Sequence, residues 1–96
     1  DVKDFRCNAN KTKITGIDVS KNIALSALYC YDNNISALDL SKNTTLTHLY
    51  CSYNNFTSLN IINNTALTKL YCKNNNLTLL NVIGCYRTKN AAFRSL

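Results

Sequence analysis

Short runs of alternating apolar and polar residues recur along this chain every 21 residues. The tripeptide Leu-Tyr-Cys occurs three times, ending at Cys30, Cys51 and Cys72, and an Asn follows each Cys three residues later. In a strand, successive side chains point to opposite faces, so Leu and Cys share one face and Tyr lies on the other. No segment carries an apolar stripe at helical spacing over three turns. The pattern predicts short strands and little or no helix.

A second alternating tripeptide recurs with the same period in the other half of each repeat. Its copies are Ile17-Asp18-Val19, Leu38-Asp39-Leu40, Leu59-Asn60-Ile61 and Leu80-Asn81-Val82. Each repeat therefore holds two short strands, and repeats stacked about 4.8 Å apart bury an apolar face that no single repeat buries alone. We predict an all-β fold, a right-handed parallel β-solenoid of about 4.5 coils with two short strands per coil.

In this interpretation the 96 residues form a single solenoid. The coils span approximately 2–24, 25–45, 46–66 and 67–87, with a partial coil at 88–96. In the first coil, Phe5 aligns with Leu28 only if two residues are inserted after Asn10. At the far end, the period of 21 residues places Ala92 in line with Tyr71.

A period of about 20–29 residues with the core L-x-x-L-x-[LC]-x-x-N resembles the leucine-rich repeat. The chain is most similar to the short bacterial surface-protein type, whose 21-residue unit reads L-x-x-L-x-C-x-x-N-x-L-x-x-L-D-[LV]-S-x-N-x-x, and the likeness covers nearly the whole chain. The resemblance implies an extracellular or cell-surface solenoid that is not an enzyme and needs no cofactor.

The charge balance bears on the choice of partner. Eleven Lys or Arg residues against five Asp give a net charge of +6, which favours acidic partners. The lysines are dispersed along the repeats, and this argues against nucleic acid. No apolar stretch approaches the roughly 18 residues that span a membrane.

The asparagine after each Cys is predicted to point inward at a turn, where strand backbone leaves the sheet with unpaired polar groups. A side-chain amide both donates and accepts, so a stacked ladder of such residues satisfies that backbone. The predicted ladder consists of Asn10, Asn33, Asn54 and Asn75.

An inward ladder of Cys7, Cys30, Cys51 and Cys72 is predicted beside it. A metal site needs ligands that converge on one point, whereas a ladder places one sulfur per coil along a line. Disulfides are disfavoured because stacked Cβ atoms lie near the strand spacing instead of about 3.8 Å. We interpret these residues as small buried hydrophobes. Cys85 stands outside this register and is the candidate intermolecular thiol.

The outward tyrosines Tyr29, Tyr50 and Tyr71 lie on consecutive coils. Two interpretations stay open: the rings stack on one another and protect the sheet, or they form a platform for a protein or glycan partner. With Arg6 and Lys73 beside them, these residues define the candidate binding face.

Asp18 and Asp39 stack outward on the other sheet at a separation that suits paired carboxylates. A flat strand face supplies neither a pocket nor an orienting neighbour, so we predict no catalytic residues.

Six N-x-[ST] sequences are possible sites of glycosylation. They begin at Asn10, Asn34, Asn43, Asn55, Asn63 and Asn76.

Two functional hypotheses follow from the repeated surface. The first is a non-enzymatic extracellular module with a structural, adhesive or protein- or glycan-binding role. The second is the subunit of a head-to-tail fibre, in which uncapped ends of successive copies stack. The possible assembly edges are Phe5, Arg6, Cys7, Ala91, Ala92 and Phe93, and Cys85 lies near that joint.

Overall fold

The protein consists of short parallel strands. The computed structural model describes residues 3–7, 12–77, 82–83 and 92–93, and no helix occurs among them. The strands are β1 (Asp4–Arg6), β2 (Ala27–Tyr29), β3 (His48–Tyr50), β4 (Leu59–Asn60), β5 (Lys69–Tyr71), β6 (Val82–Ile83) and β7 (Ala92–Phe93). A five-stranded parallel sheet has the order β1-β2-β3-β5-β7, and β4 pairs with β6 in a second parallel sheet. The predicted parallel β-solenoid class is confirmed.

Equivalent residues of successive coils lie side by side in the five-stranded sheet. Leu28 pairs with Leu49, and Leu49 pairs with Leu70. All three side chains are fully buried. The register continues into the turn, because the Cys30 N–H donates to the Tyr50 carbonyl one coil later at 2.9 Å. Identical positions of the repeat therefore form columns, as the period predicts.

The second sheet has fewer strands than the repeat pattern predicts. Residues 17–19 and 38–40 are not strands, so the prediction of two strands in every coil is wrong for these two coils. The Val19 carbonyl already accepts hydrogen bonds from the Asn22 N–H and the Asn43 side chain, each at 3.0 Å. The equivalent carbonyl one coil later is engaged in the same way.

The first coil has the predicted insertion. Phe5 pairs with Leu28, two residues more than the period of 21. The normal register returns by Ile14, whose N–H donates to the side chain of Asn33 at 3.1 Å. The two additional residues therefore lie between Cys7 and Ile14 in the sequence.

At the far end the extrapolated register is wrong. Strand β7 places Ala92 beside Lys69 instead of in line with Tyr71. Strand β6 likewise places Val82 beside Leu59. The last coil therefore also holds two residues more than the period. A fixed period fails here because side chains alternate with a period of two, so a turn can take up two residues without changing the face that a strand presents.

One turn position adopts a left-handed backbone in three successive coils. Asp32, Tyr53 and Asn74 have φ angles of 60°, 57° and 59°. Asp and Asn visit this region readily because their short side chains bond locally, whereas a bulky side chain pays a steric cost of about 1 kcal/mol. The Tyr53 side chain is 51% exposed and outside the buried core, so its packing does not offset this cost.

Tyr53→Asn is expected to raise the free energy of unfolding by about 1 kcal/mol, because it removes the steric conflict and keeps the turn. The reciprocal change Asn74→Tyr is expected to lower the free energy of unfolding by a similar amount. Urea denaturation measures both. A lower midpoint for Tyr53→Asn would contradict the strain at this turn.

Candidate binding surface

Three tyrosines form a stacked column on the solvent face of the five-stranded sheet. Tyr29 and Tyr50 have ring centroids 4.6 Å apart with 12° between the ring planes, and Tyr50 and Tyr71 have centroids 4.7 Å apart with 21°. Parallel strands about 4.8 Å apart place equivalent outward residues at the distance that stacked rings prefer. We call Tyr29, Tyr50 and Tyr71 the tyrosine column.

A guanidinium group covers one end of the tyrosine column. The Cζ of Arg6 lies 3.8 Å from the ring centroid of Tyr29, a cation–π contact. Desolvation raises the pKa of the Tyr50 hydroxyl, and the neighbouring tyrosines raise it further. The Tyr50 hydroxyl therefore stays protonated at neutral pH. Because the ring faces contact one another, the column presents ring edges and hydroxyl groups to a partner.

Basic residues surround the column. The outward positions that precede it along the strands are Asp4, Ala27, His48 and Lys69, in register. His48 packs beside the column, with its ring centroid 6.1 Å from that of Tyr50. Lys69 and Lys73 are exposed. Arg6, Lys69 and Lys73 therefore give the described part of the face a positive charge against the carboxylate of Asp4.

The first asparagine ladder satisfies the turn backbone at the end of the sheet. The Asn54 side chain donates to the carbonyls of Cys30 at 3.0 Å and Cys51 at 3.1 Å, and it accepts from the Ile35 N–H at 3.0 Å. Asn33 and Asn75 repeat this arrangement one coil away on either side. Each amide therefore ties its own coil to the preceding one.

A second asparagine ladder lies at the opposite turn and was not predicted. Asn43 donates to the carbonyls of Val19 and Asn22, each at 3.0 Å. Asn64 repeats these bonds one coil later. The Oδ1 atoms of Asn43 and Asn64 are buried without a hydrogen-bond partner in the structure. The signal was present, since Asn22, Asn43 and Asn64 recur at 21 residues, but turn asparagines are common enough that burial is not implied.

Burial excludes one of the predicted glycosylation sites. Asn43 is 0% exposed and its amide nitrogen donates two hydrogen bonds, so a glycan cannot be attached to it in the folded chain. Four other predicted acceptors are exposed: Asn34, Asn55, Asn63 and Asn76.

The cysteine ladder lies inside the coil. Cys30, Cys51 and Cys72 are fully buried, Cys7 is half-buried, and all four are free thiols. Burial raises the pKa of Cys30 to about 12 and of Cys72 to about 11, and it raises the pKa of Cys51 well above the ordinary value. These thiols act as small apolar side chains, because their ionised form is strongly disfavoured.

The side chains of Asp18 and Asp39 accept hydrogen bonds within their own turns. Asp18 accepts a hydrogen bond from the Ser20 N–H at 2.9 Å, and Asp39 accepts from the N–H and hydroxyl of Ser41 at 3.0 and 2.7 Å. Hydrogen bonds from these serines lower the pKa of each carboxyl group. Neither is poised as a proton donor near neutral pH. Within the described ranges, no group of three or more His, Cys, Asp or Glu residues that could hold a metal ion occurs.

The predicted assembly edges are described only in part. Phe5, Arg6 and Cys7 lie on or directly after β1, and Ala92 and Phe93 form β7; these are the outer strands of the described sheet. Asn10, Cys85 and Ala91 lie outside the described residues. The described part of the chain contains no helix with the length and apolarity needed to cross a membrane.

Asn54→Leu is expected to lower the free energy of unfolding by about 2 kcal/mol, since it leaves the buried Ile35 N–H without a partner and removes one of the two hydrogen bonds that the Cys30 and Cys51 carbonyls accept. The matched control is Asn55→Leu at the adjacent exposed position, with an expected change below about 0.5 kcal/mol. Equal losses in urea denaturation would show that the ladder does not stabilise the coil.

Alkylation of the thiols should depend on folding. At pH 8, a pKa of about 12 leaves about one Cys30 thiol in 10,000 ionised, and burial blocks access to it. We expect iodoacetamide to leave Cys30, Cys51 and Cys72 unmodified in the folded chain and to modify all three in guanidinium chloride. Peptide mass mapping identifies the modified residues. Rapid labelling of Cys51 without denaturant would contradict the inward ladder.

Comparison with known proteins finds one solved structure with a similar repeat. No protein-family model and no curated protein sequence matches the chain. Among solved structures, the chain is similar to the functional domain of InlJ from Listeria monocytogenes, a leucine-rich repeat internalin described as including a cysteine ladder. The TM-score is 0.85 and the sequence identity is 37%, over 98% of this chain and 20% of that chain. The chain thus spans about a fifth of the length of that domain. The resemblance of the 21-residue unit to the leucine-rich repeat is confirmed: the chain is similar in sequence and in fold to a leucine-rich repeat protein.

Proposed function

We propose that the chain is part of a non-enzymatic module that is secreted or displayed on a cell surface and binds a protein partner through the tyrosine column. The stacking of the column is the observation that carries this proposal. Support also comes from the similar structure, since folds like that of the internalin neighbour are generally binding scaffolds and that neighbour is a surface or secreted bacterial protein.

The tyrosine column suits a protein interface because its rings are ordered before binding. Each ring is half-buried and held by its neighbours, and Arg6 covers Tyr29. Binding then costs little side-chain entropy. Tyr and Arg are also the residue types that most often dominate binding energy at protein interfaces.

Charge indicates the chemistry of the partner. Arg6, Lys69 and Lys73 flank the column, and the net charge of the chain is +6. Ring edges carry partial positive charge as well. Electrostatic complementarity therefore favours a partner with an acidic surface, and it would raise the association rate at low salt.

A random peptide display library tests this proposal. We expect peptides selected on the folded chain to be enriched in Asp and Glu and to lose roughly 30-fold in affinity on Tyr50→Ser, the loss typical of a central interface residue. Tyr50→Phe keeps the stack and should retain most of the affinity.

The control for this experiment is Ile23→Ser, which changes an exposed apolar residue (67% exposed) outside the sheet and should not affect binding. Circular dichroism verifies that each variant is folded. Selected peptides that bind the folded Tyr50→Ser variant as tightly as the original chain would rule out the column as the interface. The head-to-tail fibre stays a prediction that no described contact favours over the binding module.

A further inference from the structure

We propose a saccharide-binding subsite formed by Tyr31, Asp32 and Tyr53, separate from the tyrosine column. This inference goes beyond the proposed protein interface and does not depend on it. The subsite lies in the turn that follows the strands of the five-stranded sheet, and its ligand would be a neutral sugar ring.

The three residues line an open hollow of about 310 Å³ between two adjacent coils. This volume is at the lower end of the roughly 300–1,000 Å³ found for small-molecule sites. Main-chain hydrogen bonds hold the two coils together here, from the Asp32 N–H to the Ser52 carbonyl at 2.9 Å and from the Asn33 N–H to the Tyr53 carbonyl at 3.1 Å. The walls are therefore fixed on a regular part of the scaffold.

Tyr31 and Tyr53 differ from the tyrosine column in what they offer a ligand. Their side chains are 41% and 51% exposed, and within the described residues neither ring stacks on another aromatic ring. The face of an aromatic ring carries partial negative charge, which attracts the polarised C–H groups on the apolar side of a sugar. In the tyrosine column the ring faces contact one another, whereas in this hollow the ring faces of Tyr31 and Tyr53 are accessible to a ligand.

The polar groups of the hollow favour a neutral ligand. The Nζ of Lys13 pairs with Oδ1 of Asp32, and both side chains are about half exposed. The pair offers a donor and an acceptor to sugar hydroxyls while the charge of the carboxylate is balanced. An organic cation is the other ligand that aromatic faces beside a carboxylate attract. Here it would meet a balanced carboxylate on a chain of net charge +6.

The backbone of Tyr53 supplies an independent observation. Its φ of 57° is the conformation that the repeat fills with Asp32 and Asn74 in the neighbouring coils. The turn itself therefore favours a short polar side chain. Strained backbone conformations of this kind concentrate at ligand sites. A tyrosine that contacts a sugar accounts for the aromatic ring at this position.

An NMR titration of the 96-residue chain tests the subsite, with methyl β-glucopyranoside, methyl β-galactopyranoside and N-acetylglucosamine as probes. We expect at least one of them to shift the backbone amides of residues 31–33 and 52–54, with a Kd of about 1 mM. Tyr53→Asn should weaken this binding at least about tenfold. The same change relieves backbone strain, so unfolding cannot account for the loss.

Further variants separate the outcomes. Tyr31→Ser, which introduces the residue found one coil later, should also weaken binding, whereas Ile23→Ser and Tyr50→Ser should leave the sugar-induced shifts unchanged. The last variant distinguishes failure of this subsite from failure of the protein interface. The proposal is overturned if no probe shifts these amides, if the shifts persist in Tyr53→Asn, or if tetramethylammonium chloride produces them and the sugars do not.

Discussion

Parallel, in-register stacking of coils is the constraint on which the rest of this structure depends. Once strands of successive coils pair without a shift, each position of the repeat becomes a column with the spacing of a β-sheet. Leu49 then lies between two other leucines in the core, and Tyr50 lies between two other tyrosines on the surface. One geometric rule thus produces both the apolar core and the stacked aromatic face, because it brings identical side chains into contact.

The same rule requires that every turn repeat its hydrogen bonds in each coil. Asparagine side chains perform this role at two turns, through Asn54 at the end of the sheet and Asn43 on the opposite side. At both turns these amides bind carbonyls of two successive coils and so tie each coil to the preceding one. The shape of the coil is therefore decided by polar groups as much as by the leucine core.

The position of a tyrosine relative to the strands determines which parts of its ring are accessible. Within the sheet, stacking occupies the ring faces and leaves edges and hydroxyl groups, through which we propose that an acidic partner binds. In the turn after the sheet, Tyr31 and Tyr53 occupy different positions of the repeat, so their rings do not stack on an equivalent tyrosine and stay exposed. Two surfaces of different chemistry thus arise from one residue type on one side of the solenoid.

The sequence by itself determined the period, the strand class, the inward cysteines and the first asparagine ladder, because these follow from alternation and exact recurrence of residues such as Cys51 and Asn54. Only the tertiary structure decided the register of the last coil, the burial of Asn43, the interruption of the second sheet and the left-handed backbone of Tyr53. These features depend on contacts between neighbouring coils and on the number of residues in each turn. The sequence of a single repeat does not specify them.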